Sequence, residues 1–238
     1  MKRLGVGLVA LLVGLGGAWW ARPYQTELAQ FRTSLADRTP EQHANILQAV
    51  QDLDGAVLDP GATWSFNTQV GPRTEERGFR LAPAFMERGV ARSLGGGLCQ
   101  VSSTVYNAAL LAGCRVVERH PHDFPVHSVS PGRDATVWYG KADLKLVHTG
   151  RYSARLSARA DEEGVVVRVM GDRRDARPLH VQVEPELGSE PGRLRVHTVR
   201  EWLTPSGPRL ELLSRDAYQA ATTTRGGLEA GTEAVLYW

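Results

Sequence analysis

Cysteine is scarce in this sequence: among 238 residues only Cys99 and Cys114 carry a thiol. Charge of one sign is lacking as well. Lysine and arginine total 28 against 26 aspartates and glutamates, a net charge of +2, with no basic block and no recognisable nucleic-acid module. That balance argues against nucleic acid as a partner. No internal repeat or low-complexity stretch is evident. The ordinary hydrophobic share of 42% and charged share of 23% exclude wholesale disorder. A chain of this length builds one good core, or a main domain with a smaller appendage.

What is present begins at the N-terminus. Met1-Lys2-Arg3 precedes LGVGLVALLVGLGGAWWA, an uncharged run close to the width of a bilayer. Basic residues before an apolar run hold that end in the cytoplasm, and Trp19-Trp20 suit the far interface. A cleaved signal peptide, cut after Ala18, is the alternative. Residues 1–22 are therefore read as a signal peptide or membrane anchor, and either reading exports the rest of the chain.

Residues 23–44 read as a helical lead-in, with Leu28, Phe31 and Leu35 at helical spacing. Thr39-Pro40-Glu41-Gln42 is a capping-box helix start, and Ile46, Ala49, Val50 and Leu53 continue it as one apolar stripe. A second helix is predicted from about Gln100, with Val101, Val105, Ala108 and Ala112 recurring at 4, 3 and 4 and Gly113 as its stop. Short β-prone runs follow at 115–118, 126–129 and 135–139, and from Tyr152 onward the pattern is strand and turn. The expected class is α+β: a central helix with a cysteine at its N-terminus packed on a small antiparallel sheet, followed by a β-rich extension over 151–238.

The stretch SLGGGLCQVSST at 93–104 places Cys99 at the mouth of that helix, behind three glycines. The unpaired N–H groups and dipole of a helix start favour thiolate, and the same N–H groups suit an oxyanion. Glycine lets backbone approach a substrate closely. If residues 100–113 are helical, Cys99 and Cys114 lie on the order of 20 Å apart, too far for a disulfide. Cys114 then reads as a small buried residue, and Cys99 is left alone.

A thiol nucleophile needs a base, and the base needs orienting. His122 and Asp134 follow in the order Cys, His, Asp, which resembles papain-like and transglutaminase-like enzymes in order and chemistry. Asp123 and Asp143 compete as the orienting carboxylate. A rival assignment makes Cys99, His120, His122 and His127 a zinc site, although Pro121 interrupts the strand it needs. Arg119 and Arg133 are placed to hold a carboxylate. Trp64, Trp138 and Tyr139 read as core or groove lining.

The pieces Asn45-Ile46, PGATWSFNTQVGPRTEERGF at 60–79, GGGLCQVSSTVYNAALLAG at 95–113, VVERHPHDFPV at 116–126 and PGRDATVWYGKADLKL at 131–146 resemble the VanW family. The resemblance covers residues 45–150. His148 and Asp123 depart from the pattern, where an amide residue and a serine are expected. The resemblance implies an exported or membrane-tethered cell-envelope protein, with peptidoglycan or its peptide stems as partner. It does not by itself imply glycopeptide resistance.

Two functions follow as expectations. One is a thiol-dependent amidase, peptidase or transpeptidase with Cys99 as nucleophile, His122 as general base and acid, and Asp134 as orienting carboxylate. Gly96, Gly97, Gln100, Ser102 and Arg119 would bind substrate, N–H groups around Cys99 and Gln100 would receive the oxyanion, and neither metal nor cofactor is expected. The other is a non-catalytic module binding peptidoglycan or an envelope partner on the same groove floor.

Overall fold

The computed structural model describes residues 24–86, 89–186 and 192–219. The apolar N-terminal run lies outside them. Among the described residues no helix is long and apolar enough to cross a membrane.

The first element corrects the expected helical lead-in. Residues Thr26–Ser34 form strand β1, antiparallel to a later strand, with a bulge between Glu27 and Ala29. A bulge inserts one residue into the two-residue alternation of a strand. Leu28 and Phe31 therefore both turn to the core while standing three apart, which mimics helical spacing. Helix α1, Pro40–Leu53, starts as its sequence predicts: Thr39 Oγ1 accepts from Gln42 N, and Gln42 Oε1 accepts from Thr39 N at 3.1 Å. Its buried face carries Ile46, Ala49, Val50 and Leu53, and two polar residues, Gln42 and Asn45.

Short strands β2 (Val57–Leu58) and β3 (Thr63–Ser65) lead into the single-turn helix α2, Phe66–Val70, and then the hairpin β4 (Leu81–Met86) and β5 (Gly89–Leu94). Helix α3, Leu98–Leu111, is the centre of the molecule. All its residues but Cys99 and Leu111 are buried. The sequence suggests one apolar stripe; in fact the helix is enclosed by β1, α1 and, beyond them, four strands: β6 (Arg115–Glu118), β8 (Ala154–Ala160), β9 (Gly164–Gly171) and β10 (Leu179–Pro185), of which β6, β9 and β10 touch it directly. Burial on every side is the signature of a core helix.

The main sheet is antiparallel in the order β1-β9-β8-β2, and a second sheet runs β3-β7-β6 with β7 at Lys145–Val147. Ile46, Leu53, Val101, Val105, Leu156, Val165, Val167 and Val169 form the heart of the core between helices and main sheet. Each such side chain contributes about 1.5–3 kcal/mol on burial. Two further expectations are corrected here. Residues 126–129 form no strand, and 135–139 make only isolated bridges, from Thr136 to His120 and from Trp138 to Ala142. Strands β8 and β9, expected in the C-terminal extension, are the inner strands of the main sheet: Leu156 of β8 and Val165, Val167 and Val169 of β9 enter the main core.

The extension proper is a separate antiparallel sheet, β10-β11-β12, with β11 at Arg193–Thr204 and β12 at Gly207–Gln219. It is docked, not appended. Arg200, 2% exposed, donates from Nη1 to the carbonyls of Leu110 and Cys114 at the C-terminal end of α3 and pairs with Glu211. Trp202 packs against Gly113, and Thr198 Oγ1 donates to Gly132 O at 3.1 Å.

Candidate active site

The three glycines ahead of Cys99 have distinct roles. Gly95 and Gly97 have φ of +80° and +103°, a region that side-chain-bearing residues rarely adopt. Gly96 is flanked by backbone: a Cβ there would sit 2.5 Å from Pro83 O and 2.6 Å from Ala82 O. Asn45 fixes this turn by donating to Gly96 O and Arg80 O, each at 3.0 Å, while accepting from Arg80 N. The chain thus enters α3 with Cys99 in the first turn.

The polar residues of α3 serve long-range ties. Ser102 Oγ donates to Ala135 O (2.6 Å), Ser103 Oγ accepts from Ala135 N (2.9 Å), and Asn107 Nδ2 donates to Arg133 O (2.6 Å). Together they hold residues 133–135, and Asp134 with them, against the helix. On the other side Gln100 Nε2 donates to Ser34 O (2.6 Å) and Thr104 Oγ1 meets Thr33 Oγ1 (2.8 Å), binding the helix to β1. Satisfied buried polar groups of this kind specify one arrangement of the core.

Asp134, fully buried, accepts the His122 N–H (2.7 Å) and contacts His122 Nδ1 (2.6 Å) through one oxygen. Its other oxygen accepts from Arg119 Nη2 (3.0 Å) and from the Tyr218 hydroxyl (2.6 Å). With Nδ1 engaged, Nε2 is the ring nitrogen left for the Cys99 thiol, which hydrogen-bonds His122 and lies 3.7 Å from Val137 O. Cys99, His122 and Asp134 are thereby brought into one chain of contacts.

The electrostatics follow from that geometry. Burial disfavours the Cys99 thiolate, yet the hydrogen bond and charge of His122 outweigh it and hold the thiol below its ordinary value. Burial likewise disfavours imidazolium, but bonds to Asp134 and Cys99 hold His122 up to about 9. Asp134 stays ionised despite its burial, because His122, Arg119 and Tyr218 keep it below the usual carboxylate range. Each charge stabilises the other, so the arrangement shifts the pair toward thiolate and imidazolium.

The pair lies at the wall of an open cavity of about 390 Å³, lined on one side by Gly95–Leu98 and on the other by residues 136–139. Among the described residues two arginines, Arg38 and Arg73, line it, and no aspartate or glutamate does. Arg38 Nε donates to Gln100 Oε1 at 2.7 Å. Arg73 stacks between Phe66 and Tyr139, and burial lowers it to about 10 against the opposing pull of Cys99. Exposed Trp138 and Tyr139 stand at its mouth.

Several expected ligands sit elsewhere. Gly96, Gly97 and Gln100 line the cavity, but the Gln100 side chain is committed to β1 and Arg38, and its N–H donates to Gly97 O (3.1 Å). Among the described residues no backbone carbonyl takes the Cys99 N–H. Ser102 points to Ala135 and Cys99 O, inside the protein. Arg119, its side chain 5% exposed, gives Nε to Asp134 O, Nη2 to the Asp134 carboxylate and Nη1 to Asp216 (2.5 Å); it holds the site from within. Arg133 bonds Asn107 and Val181 O.

The competing residues also resolve. Asp143 caps α2, accepting Asn67 N and Ser65 Oγ, while Asp123 is exposed and offers its carbonyl to Gln219 N. His120 contacts Glu118 at 3.0 Å and His127 is exposed, and among the described residues no three metal-ligating side chains gather. Buried His148 belongs to a different cluster, beside Cys114. Sequence reasoning missed Arg38 and Arg73 in the cavity, and Tyr218 and Asp216 behind Asp134. The motif GPRTEERGF does contain Arg73, but nothing local distinguishes it from a surface arginine.

No solved structure matches the chain. Among curated proteins, the uncharacterized protein YoaR of Bacillus subtilis is 36% identical over 138 residues, 58% of this chain and 45% of that protein. The vancomycin B-type resistance protein VanW of Enterococcus faecalis is 25% identical over 134 residues, 54% of this chain and 49% of that one. The chain therefore spans about half the length of either relative. The family model described as VanW like protein matches residues 41–170, which hold the glycine turn, α3, His122 and Asp134. With more than half of its length so matched, the chain belongs to the VanW family.

Proposed function

We propose that this protein is an exported cell-envelope enzyme that uses Cys99 for acyl transfer at an amide bond of peptidoglycan peptides. The observation that carries the reading is the chain Asp134–His122–Cys99 beside an open cavity. The Cys99 thiolate attacks the carbonyl carbon, forming a C–S bond, and the oxyanion takes the Cys99 N–H at the start of α3. His122 then gives its proton to the departing nitrogen as the C–N bond breaks, leaving a thioester. Water or a second amine, yielding a proton to His122, attacks that thioester and restores the thiolate. Water makes the protein an amidase or peptidase; an amine makes it a transpeptidase.

The cationic lining of Arg38 and Arg73 favours a peptide bearing carboxylates. Export rests on the N-terminal apolar run and on the family. Incubation of purified muropeptides with the protein, followed by mass spectrometry, tests the reading. New hydrolysis or cross-linked products with the parent and none with Cys99→Ser are expected; identical product profiles would overturn it. The second reading, a non-catalytic peptidoglycan-binding module, is favoured by exposed Trp138 and Tyr139. Under it, Cys99→Ser leaves affinity for wall fragments unchanged and no product appears with either protein.

A further inference from the structure

We infer that Tyr218 and Asp216, on the C-terminal sheet and outside the family-matched segment 41–170, are positioning residues that complete the Asp134–His122 pair. The inference rests on the thiol-enzyme reading above. Tyr218 is 1% exposed, and its hydroxyl is fully committed: it donates to Asp134 Oδ1 at 2.6 Å and accepts from Gly132 N at 2.6 Å. It therefore fixes both the carboxylate and the turn that carries it. Asp216 binds Arg119 Nη1 at 2.5 Å, while the same guanidinium reaches Asp134 through Nη2 and Nε. Arg119 is thus shared between two carboxylates, and Asp216 limits how much positive charge bears on Asp134.

No other element in the described residues supplies these contacts. A carboxylate that orients an imidazole must itself be held against rotation, and here β12 supplies one of its four hydrogen bonds, from Tyr218, and ties down the Arg119 guanidinium that supplies another. Among the described residues, Cys99 on α3 and Asp134 on its turn are the titratable groups that bear on His122. Behind Asp134 stand Arg119 just after β6, Tyr106 of α3 beneath that guanidinium at 5.3 Å, and Tyr218 and Asp216 on β12. The two β12 residues act on His122 with opposite sign. Removing the Tyr218 hydroxyl leaves more of the Asp134 charge to His122 and strengthens its hold on the proton. Neutralising Asp216 releases the Arg119 charge onto Asp134 and weakens that hold.

Iodoacetate is the probe. Its negative charge makes alkylation of the thiolate faster while His122 is protonated, so the upper limb of rate against pH reads His122 and the lower limb reads Cys99. Tyr218→Phe and Asp216→Asn are compared with the full-length parent, with thermal melting as the check on folding. Tyr218→Phe is expected to move the upper limb up and Asp216→Asn to move it down, each by roughly half a pH unit. A purely structural defect lowers the rate at every pH and moves neither limb. If one variant fails to fold, the other carries the test through the direction of its shift. Unmoved limbs beside a parent with a reactive low-pH thiol would overturn this inference alone. A parent without such a thiol would sink the enzyme reading, and this inference with it.

Discussion

Cys114 Sγ lies 3.9 Å from His148 Nδ1, so the fold holds a second cysteine–histidine pair in addition to Cys99 and His122. The two pairs behave oppositely. Burial pushes the Cys114 thiol up to about 12 and the His148 ring below its ordinary value, leaving both neutral. His148 Nε2 faces the Tyr152 carbonyl at 3.0 Å, and Asp175 stands 3.9 Å away, bonded to the N–H groups of Arg151 and Tyr152. Among the described residues no carboxylate comes within hydrogen-bond reach of that ring.

Iodoacetamide at pH 6.5 will therefore label Cys99 and spare Cys114 in the folded protein, with Cys114 modified only after denaturation. Peptide mass mapping before and after urea measures it. Equal labelling of both thiols in the folded state would contradict the assignment.

His122→Ala removes the partner that holds Cys99 ionised. Burial then prevails and the thiol rises toward or above its ordinary value. Alkylation at pH 6 should slow on the order of 100-fold, with a smaller gap at pH 9. Asp134→Asn, which leaves the ring in place but strips its anionic partner, should slow it less. A pH-independent loss in either variant would show that the pair does not govern the thiol.

Cys114 also sets an alkaline limit on stability. Its pKa is raised on folding, so the folded state keeps a proton that the unfolded chain releases above about 9; stability is full below that pH and is lost as pH rises toward 12. The loss is about 1.4 kcal/mol by pH 10. Cys114→Ala lacks this term. Denaturation at pH 8 and pH 10 should find the variant less stable at pH 8 and the gap narrower by that amount at pH 10. A constant gap would exclude the effect.

Gly96→Ala places a methyl group against the carbonyls of Ala82 and Pro83, which cannot yield as side chains do. A loss of about 2 kcal/mol, with slower alkylation of Cys99, is expected. Gly61→Ala is the control. Its φ of +74° imposes strain in open space, so it should cost about 1 kcal/mol and leave the thiol unaffected. Equal effects of the two on Cys99 would deny Gly96 its place in shaping the site.

Much of this was legible in the sequence. The capping box gave α1, the glycine run gave the entry to α3, and the order of Cys99, His122 and Asp134 named the residues that meet. What escaped had long-range causes. The bulge in β1 disguised a strand as a helix, because only its partner β9 reveals where the extra residue goes. Ser102, Ser103 and Asn107 resemble misplaced polar residues until the loop at 133–135 is seen against them. Arg119 carries no local sign that it faces inward, since Asp216, its partner, lies 97 residues away. Tyr218 is 84 residues from Asp134, beyond any local pattern.

Helix α3 begins at a thiol drawn toward its anion and ends on the Arg200 guanidinium. A peptide rod is itself polar, amide-positive at its start and carbonyl-negative at its finish, so both termini meet the sign they attract. Any collapsed state that inserts this apolar rod upside down, or a turn out of step, sets like against like at each end. The two ends thereby add an electrostatic preference for one heading to a segment whose greasy surface would otherwise accept several.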